Sequence, residues 1–401
     1  MSAERAGLGG GVVVLLAAVT AMAPMTLSFY LPALPLIAAE LDAGPAQVQL
    51  TVTAALVGLA AGQLLIGSVS DATGRRPPLL VAFGGYVVTS LVIAVVHAVT
   101  LLVALRFLQG FLAAAGLVVA LAVVRDVYEG VAVGKMFSRL LLVVGVAPVL
   151  APALGAQVLL AGSWRLLFVV LAAAGAVLLV LVALTMPESL PPPRRRAGGT
   201  AGAVRSYAAL LRDRTFRGLV VVAGLAMAGF FTYVAASTFL FQQTYGLTAQ
   251  QYALVFGLGA LTVTAGTQVA GALMGRVGGT RIVGGALAVA LAGATAIGVV
   301  AATVGTGPGR LGPLLAALLP TICAVGMLLP AVPGLALALQ AHDAGSAAAL
   351  VGASQFGMAA LGAPLTGLLG ESVGTMAAVM VVAFAAAAAV MAAVARGRPA
   401  L

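Results

Sequence analysis

Residues 67–80 read GSVSDATGRRPPLL, a short polar passage between two long apolar runs, 47–70 and 78–97. Each run holds about 20 residues or more, the length a helix rising ~1.5 Å per residue needs to cross a hydrocarbon core of ~30 Å. Gly74 suits a helix end in the left-handed conformation, and Arg75 and Arg76 suit a turn held at lipid headgroups. Headgroup anchoring accounts for the arginines but poorly for Asp71, an acid at the end of a span among bases, which invites an ion pair or a nearby helix N-terminus.

The rest of the chain repeats this alternation. Hydrophobic residues make up 62% of the 401 and charged residues 7%, against roughly 45–50% and about 25% in soluble domains. The apolar blocks lack period-2 alternation, so helices rather than a closed barrel satisfy the backbone in lipid. Twelve spans are expected, at 11–37, 47–70, 78–97, 100–124, 136–161, 165–186, 217–240, 251–274, 282–304, 312–338, 347–370 and 374–395. With both termini in the cytoplasm, 17 of the 20 basic residues fall inside, from Arg5 to Arg398, and two outside, Arg165 and Arg310. That asymmetry alternates correctly through all twelve spans and explains the net charge of +10 better than a nucleic-acid partner does. The N-terminus imitates a signal peptide, but its apolar stretch continues to Leu36.

The longest polar passage, 187–216, contains three consecutive prolines followed by three consecutive arginines. It reads as a cytoplasmic linker, flexible at 191–203 and helical at 204–213. It divides the chain into six-helix halves, 1–186 and 217–401. GALMGRVGGTR (271–281) occupies the place in the second half that 67–76 occupies in the first, which suggests a duplicated unit. The expected fold is therefore an all-α polytopic membrane protein of two pseudo-symmetric six-helix bundles. Small residues such as Gly58 and Gly62 fit close helix packing or sliding faces.

Within the spans, Arg106 stands out. A central arginine costs about 2.5–3.5 kcal/mol on insertion scales and should face a polar cavity, unless it snorkels to the outer headgroups. Gln109 lies one helical step away. Pro148 and Pro152 remove two backbone donors from span five and should bend it, between Gly145 and Gly155. Ser28, Tyr30 and Gln63 are further candidates for the cavity wall. Cys323 is the one cysteine, and His97 and His342 lack metal-ligand spacing. No catalytic constellation or phosphate-cradling loop is present, so a transporter rather than an enzyme is expected, with no cofactor and no metal.

Gly67, Asp71, Gly74, Arg75 and Arg76 resemble the signature loop of the major facilitator superfamily. In the second copy Gly271 matches Gly67, but Gly275 stands where Asp71 stands. FYLPALPLIAAEL (29–41), LRFLQG (105–110), VVRDVYEG (123–130), VAPVLAPALG (146–155) and SWRLLF (163–168) are similar to the twelve-span drug:proton antiporters, in particular the Bcr/CflA-like exporters of bicyclomycin and of chloramphenicol and florfenicol. The resemblance is dense over 24–170 and thin after 215. It implies alternating access in the cell membrane by a monomer, with a small-molecule substrate and protons as partners. It also implies that Arg106 faces the central cavity, that Asp126 pairs with Arg75 to lock one conformation, and that the Gly/Pro motif of span five belongs to exchange. One departure matters: Ser28 stands where the branch often carries an acid, and no Asp or Glu falls deep in a span. Arg106 does not release its proton at ordinary pH. A facilitator or exchanger without proton coupling therefore stays open, as does, from another class, a membrane enzyme or scaffold. Arg106 without a nearby acid favours neutral or weakly acidic apolar substrates over cations.

Overall fold

The computed structural model describes residues 10–195, 199–340 and 343–397. Arg5, Arg196, His342 and Arg398 lie outside them. Among the described residues, twelve helical segments are long and apolar enough to cross a membrane. In the first half they are α1 (Gly10–Ser28) continued by α2 (Leu34–Glu40), α3 (Pro45–Thr73), α4 (Arg76–Ile93), α5 (Val99–Val127), α6 (Val131–Ala161) and α7 (Arg165–Thr185). A short helix, α8 (Gly199–Leu210), precedes the second half. There α9 (Arg214–Phe239), α10 (Ala249–Leu273), α11 (Gly279–Thr303), α12 (Leu311–Ala338), α13 (Ala344–Gly362) with α14 (Leu365–Leu369), and α15 (Val373–Gly397) complete the set.

Local sequence explains the breaks. The first span is interrupted at Phe29–Tyr30 and passes through a 3-10 turn, Leu31–Ala33, because Pro32 and Pro35 each withhold a backbone donor. The seventh ends in a π-helical turn, Leu240–Thr244. Pro148 and Pro152 lie inside a continuous α6. The passage expected to be flexible at 191–203 is corrected in part: helix begins at Gly199. The TAGAV run that follows has small residues that tolerate a helix lying against the bundle. There the Tyr207 hydroxyl donates to the Leu64 carbonyl of α3 at 3.0 Å.

Pseudo-symmetry is visible in how spans two and four, and their counterparts eight and ten, pack. A Cβ placed on Gly110 of α5 would stand 2.2 Å from the Ala55 carbonyl oxygen of α3, and one on Gly326 of α12 the same 2.2 Å from the Val263 carbonyl oxygen of α10. In both halves a glycine lets two helix backbones touch, the packing that replaces the hydrophobic effect in lipid.

Candidate functional site

The loop at 67–76 folds around Arg75. Gly74 ends α3 at φ 102°, its N–H donating to the Ser70 carbonyl at 3.1 Å. That conformation turns the chain at once into α4 and aims Arg75 back across the helix ends. Its guanidinium donates through Nη1 to Ser70 Oγ at 2.7 Å and Asp71 Oδ1 at 2.5 Å. It also donates through Nε to Asp126 Oδ2 at 2.8 Å and through Nη2 to Asp126 Oδ1 at 3.3 Å. This forked grip on Asp126, the bidentate geometry only arginine offers, ties the loop to the end of α5. Arg75 is buried, at 5% exposure. Burial pulls its pKa down, but the bonds to Asp126 and Asp71 outweigh that and hold it above its ordinary value.

Glu188 completes the cluster. Its carboxylate accepts the backbone N–H of Arg75 at 2.8 Å, of Leu190 at 3.0 Å and of Arg76 at 3.2 Å. It thus sits on the N-terminus of α4, where unpaired amides and the helix dipole favour an anion. Burial pushes this carboxyl up, but the three amides and the charge of Arg195 hold it below the usual range. Ser189 adds a bond to Asp126 Oδ2 at 3.1 Å. Arg76 turns inward to the Ala183 carbonyl, so neither arginine serves as a plain headgroup anchor. The sequence reading passed over Glu188 because PES (187–189) looked like the start of the linker. The available signal was its position directly after the last turn of α7.

A cavity of about 890 Å³ opens at this end, between the halves. Gln63, Gly67 and Asp71 of α3, with Arg125 and Asp126 of α5, wall one side, and Asp343, Ser346 and Ala349 the other. Ser206 and Tyr207 of α8 line it as well. At the opposite end the halves meet: Gln242 donates to the Pro32 carbonyl and Gln250 to the Ala156 carbonyl, each at 3.2 Å. A Cβ on Gly155 would stand on the Phe29 carbonyl, so α6 lies hard against the break in span one. Pro152 is buried and Gly145 and Pro148 half-buried along the same helix, and α6 faces α10, where a Cβ on Gly257 would stand 3.6 Å from the Val149 carbonyl oxygen.

Arg106 is placed elsewhere, in a closed pocket inside the first half. It has no exposed surface, which excludes snorkelling. Nη1 donates to Gln109 Oε1 and Nη2 to the Thr26 carbonyl at 2.9 Å. Its guanidinium carbon lies 4.1 Å from the Tyr30 ring centre and 5.9 Å from that of Phe168. Gln109 in turn donates to Ser90 at 2.7 Å, and Tyr30 and Thr51 hydroxyls pair at 3.0 Å. The expectation that Arg106 opens onto a cavity is therefore corrected for this conformation: the break at Phe29–Tyr30 swings the Tyr30 ring over it as a wall. Its Nε has no hydrogen-bond partner, so the burial is incompletely compensated. Ser28 is buried too, and of the five cavity candidates Gln63 alone lines the cavity at the Arg75 end.

Comparison with known proteins follows the same lines. The family model described as Major Facilitator Superfamily matches residues 16–352. The chain is 36% identical over 370 residues to an uncharacterized MFS-type transporter, YdgK, of Bacillus subtilis (strain 168), covering 92% of this chain and 91% of that one. It is 29% identical over 240 residues to a bicyclomycin resistance protein homolog of Haemophilus influenzae, a match spanning 60% of each chain. Among solved structures, a bacterial homolog of the human lysosomal transporter Spinster superposes with a TM-score of 0.73 at 15% identity, covering 96% of both chains; that likeness concerns the fold.

Proposed function

This chain belongs to the Major Facilitator Superfamily, a multi-pass membrane transporter of small molecules and not an enzyme, and from that premise we propose that it exports antibiotics or other apolar drugs by alternating access, in antiport with protons. In this reading 1–186 and 217–401 are the moving bundles and 187–216 joins them. The arginine-rich end and both termini face the cytoplasm of a cell-membrane protein acting as a monomer. The observation that carries it is the uneven contact between the halves. They part around a cavity at the Arg75 end and touch at the other, the arrangement of a carrier waiting for substrate from inside. Asp71, Arg75 and Asp126 then form the lock that rearranges when the mouth closes, and Pro148 and Pro152 withhold two backbone donors from α6, the helix that moves against α10.

The cavity supports neutral, moderately apolar substrates on different grounds from Arg106. Asp71, Asp126 and Asp343 are set against Arg75 and Arg125 on its wall, and Leu117, Val118 and Leu121 supply an apolar face. With Ser28 in span one, the proton-carrying groups are peripheral carboxylates, Asp126 first among them. Efflux of one neutral and one cationic compound from proteoliposomes, with and without a pH gradient, tests this. Gradient-driven efflux of the neutral compound is expected, and Asp126→Asn should abolish the gradient's effect while sparing downhill exchange. Efflux indifferent to the gradient would favour the second reading, a facilitator or exchanger, which Ser28 already supports.

A further inference from the structure

At the end away from Arg75, beside the contacts of Gln242 and Gln250, a fully buried side chain also joins the two halves. Gln49 of α3 has no exposed surface. Its Oε1 accepts the backbone N–H of Gly367 in α14 at 3.1 Å, and the Thr366 hydroxyl lies at 3.5 Å. A backbone N–H can only donate, so it fixes which way the amide points. Nε2 is thereby turned to Glu371, whose Oε1 it meets at 2.5 Å. Gly367 makes the approach possible, since a Cβ there would stand 2.7 Å from both Ala46 Cα and Gln49 Oε1.

Glu371 sits between α14 and α15, half-buried on a pocket of about 330 Å³ with Thr244, Gly298, Thr306 and Ser372. Gln49 of α3 bonds the carboxyl, and the residues that line this pocket with Glu371 are uncharged: Thr244 from the π-helical turn, Gly298 and Ala301 from α11, Thr306 from the loop after it, and Ser372 just before α15. The basic side chain of that loop, Arg310, donates to the Val304 carbonyl at 2.7 Å. Among the described residues no cation pairs with Glu371. A half-buried carboxylate without a counter-charge disfavours its charged form, while the Gln49 N–H favours it; burial pushes this one up to about 7.

We propose that Glu371 and Gln49 form a proton-operated latch at the end opposite Arg75, in which a neutral Glu371 lets this uncharged, half-buried end stay closed around the Gln49 bond, and ionisation favours the opened end, where water solvates the charge. This rests on the alternating-access reading and adds to it a group through which pH on that side governs opening. The sign follows from linkage. When the end opens, Glu371 meets water and returns to an ordinary value of ~4.3. Proton binding therefore favours the closed end, and closure weakens as pH rises through about 7.

The test uses the full chain in lipid nanodiscs with Cys323→Ser, and spin labels on Leu50→Cys of α3 and Leu368→Cys of α14. Both positions are exposed, at 41% and 68%. Pulsed electron resonance reads the distance between them. From a pKa of about 7 closed and ~4.3 open, the closed-to-open ratio should fall roughly 30-fold between pH 5.5 and pH 8. Glu371→Gln, a permanently neutral stand-in, should stay closed at both pH values. A distance distribution in the otherwise unaltered latch that does not move with pH overturns the proposal without reference to any latch variant. So does a Glu371→Gln protein that responds as the parent does. Proteoliposome efflux that ignores a pH gradient, beside a pH-dependent distance, would instead overturn the antiport reading and leave the latch standing.

Discussion

The loop after span two and its counterpart after span eight occupy matching places, and the contrast between them separates fold from mechanism. In the first, Arg75 is buried and bonded to Ser70, Asp71 and Asp126, with Glu188 clamping the start of α4. In the second, Gly275 replaces the acid, and Arg276 and Arg281 are exposed to solvent. The span-two-to-span-four contact survives in both halves, through Gly110 and Gly326. Among the described residues the helix contact is thus present in both halves and the ionic cluster in the first. Every member of that cluster, from Ser70 to Ser189, belongs to the first half or the passage just after it, so it braces one wall of the mouth rather than bridging the halves.

The largest effects should fall on what the halves share. Gly110→Ala and Gly326→Ala each drive a methyl group onto a carbonyl oxygen at 2.2 Å. Overpacking of this kind costs about 1–3 kcal/mol or more where backbone must shift. Both variants should lose most folded protein, measured as the monodisperse peak after detergent extraction. If only one half suffered, the packing symmetry would be broken. Next come the loops. Arg75→Ala leaves Asp126 part-buried without its cation, though Ser189 still donates to it, and no helix backbone has to shift. Drug efflux normalised to membrane protein should drop at least tenfold, while Arg281→Ala should stay within about twofold. Equal losses would mean that the second loop holds a lock of its own.

Arg106 sharpens the comparison inside the membrane, since α12, the fourth span of the second half, carries no charged residue. Arg106→Lys keeps the charge but cannot reach Gln109 and the Thr26 carbonyl in two directions at once. Efflux should fall roughly five- to tenfold, with normal extraction. Full activity would mean that charge alone is needed.

Apolar run lengths and the arginine distribution made the span count legible, and the structure has twelve such helices. The Arg75–Asp126 pair was legible only through family likeness, because nothing in local spacing joins residues 51 positions apart. The cavity side of Arg106 was not legible. Periodicity says which face of α5 carries Arg106, but the wall over it is Tyr30, set by a proline break in another helix. Glu188 and Glu371 escaped for a common reason. Both lie just outside apolar runs, where a carboxylate reads as solvated until the fold brings amides to one and encloses the other.

The smallest effect tests the clamp on α4. Glu188→Gln retains an acceptor for the amides of Arg75 and Arg76 but removes the negative charge from the helix N-terminus. Such a charge contributes about 0.3–1 kcal/mol, and part-exposure of Glu188 discounts that toward the lower figure. The variant should therefore melt about one degree lower or less at pH 7, by the conversion for a large domain, with efflux nearly unchanged. The pH dependence gives the sharper check. Because the carboxylate is held below its ordinary range in the folded protein, its contribution is complete above ~4.3 and is lost as pH falls through the lower folded value. The melting difference between parent and variant should persist from pH 8 down to pH 5 and shrink below pH 4. A gap that grew as pH fell would mean that Glu188 is destabilised by its surroundings, and the clamp would be wrong.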